Sequence, residues 1–173
     1  MKKILAAACV LALAFGVVWA GETPMKEAGK TGVPSAEHMQ AMKAEMAKCA
    51  VCKTWLTNFD ELMPALKGEV VQLNNGMAMT HRVSDSKKLA MFRANTAATH
   101  KAGEACIAMS DEQAKTDLCE LCQGIRGAVK AGAVMSMGDT KSGDMMVLTS
   151  TDPAIQKQLS ELGTKCAMMM SQR

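Results

Sequence analysis

Twice along this chain an apolar stripe of helical period gives way to two short runs joined through a glycine, and then resumes. The first stripe is Met39, Met42, Met46, Cys49, Cys52, Leu56, Phe59, Met63 and Leu66. Steps of three and four put such residues on one helix face. Ser35 supplies the cap, Pro64 bends the last turn and Gly68 ends it. Two runs follow, Val70 to Leu73 and Met77 to Val83, joined by Asn74-Asn75-Gly76, and Asn-Gly between two such runs predicts a hairpin. Asp85 or Ser86 then opens a helix with Leu89, Phe92, Thr96, Thr99, Gly103 and Cys106 along one face.

The order then repeats. Ser110 and Gln113 make a capping box, and Leu118, Cys122, Ile125 and Val129 form the stripe of a helix closed by Gly132. Runs at 134–137 and 145–149 meet through Lys141-Ser142-Gly143. Asp152-Pro153 starts a last helix striped by Ile155, Leu159, Leu162, Cys166 and Met169. The reading is α+β: tandem helix–β-hairpin–helix units at 35–108 and 110–173. Single hairpins are marginal alone, so the two are expected to share one antiparallel sheet under four helices.

Residues 1–20 stand apart. Lys2 and Lys3 lead an apolar run that ends Val18-Trp19-Ala20, which reads as a secretory signal rather than a membrane span. Cys9 follows Ala6-Ala7-Ala8, but too few residues precede it for a lipid-attachment signal. Residues 21–34, with two prolines and three glycines, read as a flexible leader. A periplasmic or secreted location follows. Without Lys2 and Lys3 the charge is 18 basic against 17 acidic residues, which gives no electrostatic reason to seek nucleic acid or an anionic membrane. Beyond the signal the only aromatics are Trp55, Phe59 and Phe92, too few for base-stacking platforms.

Sulfur is what the chain has in excess: 17 Met and 7 Cys. Cys119-Glu120-Leu121-Cys122 and Thr149-Ser150-Thr151-Asp152-Pro153 resemble segments of uncharacterised secreted bacterial proteins that carry a C-x-x-C helix and a T-S-x-D-P strand-to-helix passage. That resemblance implies a repeat and a secreted setting, and no chemistry.

Beyond the signal each unit holds a C-x-x-C on its first helix and one cysteine late in its second. In the first unit both positions lie farther from the hairpin, by six and seven residues, than in the second. Paired displacement on antiparallel arms, about 10 Å at 1.5 Å per residue, keeps each C-x-x-C opposite its lone cysteine. The expectation is two three-cysteine clusters: Cys49, Cys52 and Cys106, then Cys119, Cys122 and Cys166.

Three chemistries could use them. Thiolates suit Cu(I) or zinc, and thioether sulfur favours Cu(I). Met77, Met79 and His81 on one strand face offer a second, weaker site, with Met135 and Met137 repeating half of it. This M-x-M strand resembles the Met and His sites of periplasmic copper metallochaperones, though Trp55, placed on a helix, has no reason to cap it. Disulfides are the ordinary fate of secreted cysteines and would make a non-enzymatic scaffold or interaction module. Thiol–disulfide exchange ranks third, because a C-x-x-C in mid-helix lacks the helix N-terminus that lowers a thiol pKa. Lys53 and Gln123 after the motifs exclude haem attachment. No hydrolytic, phosphate-binding or acid–base constellation appears, so the reading is a non-enzyme. It binds a soft metal, Cu(I) before zinc, through the two three-cysteine clusters, with a metal ion or a periplasmic protein as its partner.

Overall fold

The computed structural model describes residues 36–171; the signal and leader expected at 1–34 lie outside them. The described chain forms six α-helices and one four-stranded antiparallel sheet. The four long helices expected from the stripes are therefore corrected. The first helix of each half is broken, and both breaks fall at a C-x-x-C.

In the first half, α1 covers Ala36–Ala47 and ends before Cys49. A 3-10 turn takes Cys52–Asn58, α2 takes only Phe59–Leu62, and a second 3-10 turn covers Met63–Ala65. Pro64 lacks the N–H an α-helix needs there. Strand β1 then starts at Leu66 and runs to Leu73, so Gly68 lies in a strand and does not end a helix. Strand β2 is Gly76–Val83 and α3 is Leu89–Ile107, with the Asp85 carboxylate accepting from the Lys87 N–H just before it.

The second half holds α4 at Asp111–Asp117, α5 at Glu120–Lys130, β3 at Val134–Thr140, β4 at Gly143–Thr149 and α6 at Pro153–Ser171. The Ser110–Gln113 capping box closes reciprocally, and Asp152 caps α6 by accepting from the Ala154 N–H at 2.7 Å.

The sheet order is β1-β2-β4-β3, so each hairpin contributes an inner and an outer strand. The hairpins meet along β2 and β4, with Gly76 opposite Thr149, Met79 opposite Met146 and Arg82 opposite Gly143. Two reciprocal bonds lock this seam: Val83 N–H donates to Ser142 C=O and Ser150 N–H to Asn75 C=O. Each turn thus accepts from the end of the other hairpin, Val83 closing β2 and Ser150 following β4.

Strand periodicity places Met77, Met79, His81 and Val83 on one sheet face. Met77 and Leu148 are fully buried there against Leu159, Leu162 and Cys166 of α6. Val83 joins Leu62, Ala65 and Phe92, under Trp55, in a second cluster. The third cluster holds the cysteines.

Candidate metal centre

Each C-x-x-C sits at an interruption, and the two interruptions are built alike. Leu118 and Cys119 adopt extended backbone (φ −120°, ψ 140° and φ −68°, ψ 163°), which separates α4 from α5 and makes Cys119 the N-cap residue of α5. Cys49 lies in the turn after α1, and Cys52 opens the following 3-10 turn. In both motifs the residue after the second cysteine donates to the carbonyl of the first: Lys53 N–H to Cys49 at 3.0 Å, Gln123 N–H to Cys119 at 2.9 Å. The expected mid-helix placement is thereby overturned. The first motif bridges the turn after α1 and the start of the 3-10 turn, and the second runs from the N-cap of α5 into its first turn, so neither lies within a continuous helix.

The two loops meet. Ala50 N–H, inside the first motif, donates to Asp117 C=O, just before the second, at 2.7 Å. Cys52 Sγ lies 3.7 Å from both Cys119 Sγ and Cys122 Sγ. All four sulfurs of Cys49, Cys52, Cys119 and Cys122 lie within 4.8 Å of one another. Cys49 and Cys122 are buried, while Cys52 and Cys119 are half-buried. Ala114 and Leu118 of the second half, with Val51 and Cys106 of the first, form the apolar wall.

Four thiols this close share protons. The Cys119 thiol, with the Cys122 and Cys52 thiols and the Cys119 backbone N–H, holds Cys49 far below the usual thiol range, against its own burial. Cys119 is lowered to about 6 by the Cys122 thiol first, with help from the Cys122 backbone N–H. Cys52 and Cys122 move the other way, each raised first by its hydrogen bond with Cys119 and further by burial. A metal ion would take the place of the shared protons and the group would bind as thiolates.

The structure regroups the six expected ligands. Cys106 packs in the same apolar cluster as Cys49 and Cys122 but is not one of the four convergent sulfurs. Burial raises its thiol, with Arg126 opposing. Cys166 belongs to the sheet core beside Met77 and Leu148, where burial pushes it up to about 11. The two three-cysteine clusters are thus replaced by one four-cysteine group that spans both halves. All six cysteines among the described residues are free thiols.

Met77, Met79 and His81 do share a face, but Met77 is fully buried core. His81 Nδ1 pairs with Asp144 Oδ1 at 2.9 Å. Trp55 does reach this strand: its ring centroid lies 6.3 Å from that of His81 and 5.7 Å from that of Phe92. The 52–58 segment follows the break after α1 and packs against α1 and α3, and Trp55 reaches from it to the His81 ring.

Arg126 escaped the sequence reading altogether. Its side chain is buried, and its Nε donates to Cys106 C=O at 2.9 Å, another nitrogen donates to Met109 C=O, and Nη1 pairs with Asp111 at 2.8 Å. It holds the turn between α3 and α4 against the cysteine cluster. Its place on α5, one turn past Cys122 and on the same face, was the available signal. No known family model matches the chain, and neither does any curated protein or solved structure.

Proposed function

We propose that the protein binds one thiophilic metal ion through Cys49, Cys52, Cys119 and Cys122, and that the bound ion clasps its two halves. One observation carries this reading. Four sulfurs about 2.3 Å from a tetrahedral zinc ion stand about 3.8 Å apart, and Cys52 stands 3.7 Å from two of its partners. A closed set of four thiolates is the arrangement of structural zinc sites, with no open position for a substrate or water. The set contains no thioether, so the preference for Cu(I) that methionine sulfur would give does not apply here. Zinc is therefore placed ahead of Cu(I) at this centre. The signal-like start supports a secreted or periplasmic setting for it, and a protein partner there fits a non-enzymatic role.

A disulfide scaffold is the second reading, favoured by the half-buried Cys52 lying beside two sulfurs from the other half. The two readings separate in one experiment on protein recovered from the exported fraction. Native mass measurement with and without alkylation should find one zinc or copper ion and six alkylatable thiols after metal removal. Protein free of metal, with the four cysteines oxidised and no metal uptake after reduction, would end the first reading.

A further inference from the structure

The sheet has two faces, and the core uses one of them. Val70, Met77, Met79, Met135, Met146 and Leu148, the sheet residues of the cluster around α6, all alternate onto the same side. The residues between them point to the opposite side, and none of those joins any of the three core clusters. That side is nevertheless apolar over much of its area. Val71 is 43% exposed there, Leu73 36%, Met145 41% and Val134 63%. A contiguous exposed patch of such residues marks an interaction surface.

The pairing registers lay this outer face out in rows that cross β1, β2, β4 and β3 in turn. They read Leu73-Gly76-Thr149-Val134, Val71-Ala78-Val147-Ser136, Glu69-Thr80-Met145-Gly138 and Lys67-Arg82-Gly143-Thr140. The first two rows carry no charge, and Lys67, Glu69 and Arg82 gather at the other end. A two-fold axis along the strands would set each row against itself with the strand order reversed, β1 over β3 and β2 over β4. Every opposed pair then joins a larger side chain to a smaller one. Along the flanks Leu73 meets Val134, Val71 meets Ser136, Glu69 meets Gly138 and Lys67 meets Thr140. Along the centre Gly76 meets Thr149, Ala78 meets Val147, Thr80 meets Met145 and Gly143 meets Arg82. No two charges meet, and a Cβ on Gly138 would touch nothing within 4 Å, so the space opposite Glu69 is open. An axis across the strands would instead press Lys67 onto Leu73.

We propose that this face docks on the same face of a second copy, the two sheets stacked about a two-fold axis along the strands. A two-fold dimer needs a surface that complements itself, and the rows supply that in both size and charge. Stacked sheets interdigitate with their strands about 30° apart, so the contact concentrates on the two middle rows and the charged row lies at the rim. Four strands of seven or eight residues, at about 3.3 Å per residue and about 4.8 Å apart, give a footprint of about 450 Å² per copy. About 900 Å² in total belongs to weak, exchanging contacts rather than to permanent dimers. The four convergent cysteines lie outside the sheet, so this pairing stands independently of the metal centre.

The test is sedimentation equilibrium from micromolar to millimolar protein, with a phosphine reductant present so that disulfides between copies cannot contribute. The expected result is a reversible monomer–dimer equilibrium. V71K and S136D alter exposed residues and should leave circular dichroism and zinc binding unchanged. Each places two unpaired charges in the contact, one on either side of the axis, and should weaken the dimer roughly ten-fold or more. Positions 71 and 136 lie on the two edge strands, about 14 Å apart within one copy, so the new charges cannot pair there. The double variant V71K/S136D sets each new lysine against the new aspartate of the other copy and should recover most of the loss. An equal mixture of the two single variants should recover part of it. A chain that stays monomeric throughout would leave the face to residues 1–35 or to another protein, and would overturn the proposal. So would a dimer indifferent to both single variants, or a double variant no better than either.

Discussion

Cys52 and Cys119 are 67 residues apart in the chain, and their sulfurs lie 3.7 Å from each other. Beside the β2–β4 seam this contact is one of several ties between the two halves, next to the 2.7 Å hydrogen bond from Ala50 N–H to Asp117 C=O. It gives the cysteines a task that neither half could perform alone. One C-x-x-C supplies two ligands, and a tetrahedral ion needs four.

Metal removal should therefore loosen the whole molecule. An ion present at 100 times its dissociation constant adds about 2.7 kcal/mol to folding stability. For a chain of this size that corresponds to roughly 5–10 °C in melting temperature. Differential scanning calorimetry with and without chelator should show the drop, and equal melting temperatures would argue against a clasp.

Cysteine variants should divide along the structural grouping. Cys52→Ser and Cys119→Ser each remove one of four ligands and should lower zinc affinity by more than the roughly 10–100-fold that loss of a supporting contact costs. Cys166→Ala leaves stoichiometry unchanged and costs about 1 kcal/mol through the small void it opens in the sheet core. Competition titration checks the first pair and denaturant unfolding the second. Equal metal loss in Cys166→Ala would restore the cluster drawn within one half.

Thiol reactivity in the metal-free protein should follow the same division. Cys119, lowered to about 6, is mostly thiolate at neutral pH, and its alkylation rate should rise through about pH 6 and level off. Cys166, raised to about 11 and buried, stays protonated and should resist until the fold opens. Peptide mapping after brief iodoacetamide treatment reads both. First modification at Cys166 would contradict the burial.

What the residues disclosed beforehand, and what they hid, has a physical pattern. The hairpin turns, the Ser110 capping box and the Asp152 cap depend on near neighbours, and each was readable from local spacing. The cysteine stripe Met46, Cys49, Cys52, Leu56 has perfect helical spacing, yet the chain breaks there. Periodicity reports which residues are buried and says nothing of whether the backbone between them is continuous. Convergence of the two C-x-x-C loops depends on contacts about 70 residues apart, such as Ala50 with Asp117.

Acid should unlatch the α3–α4 turn. Hydrogen bonds from Lys130 and Arg126 lower the Asp111 carboxyl to about 2. A depressed carboxyl contributes stability above its unfolded pKa of about 3.9, and that contribution is lost as pH falls toward about 2. Melting temperature should fall between about pH 4 and pH 2, less steeply in Asp111→Asn, whose residue no longer titrates. The same slope in both proteins would remove Asp111 from the account.

The seam between the hairpins offers the sharpest test of the fold. Gly76 and Gly143 occupy matching positions, each just after its turn and each against the other hairpin. A Cβ at Gly76 would stand 1.9 Å from Leu148 O, and one at Gly143 would stand 1.8 Å from His81 O. Both obstructing atoms are backbone, so no rotamer change relieves the contact. Among the described glycines only Gly132 has positive φ, so these two glycines are required for close approach and not for a left-handed turn. Gly76→Ala and Gly143→Ala should each cost about 1–3 kcal/mol or more, the usual penalty of overpacking. Gly103→Ala is the control, because a Cβ there meets nothing within 4 Å and a helix interior favours alanine over glycine by about 1 kcal/mol. Since the seam and the cysteine centre join the same two halves, the seam variants should also bind zinc more weakly while retaining all four ligands. Unfolding curves and zinc competition on the three variants supply both readings. Seam variants as stable as the parent would mean that β2 and β4 do not pair in this register.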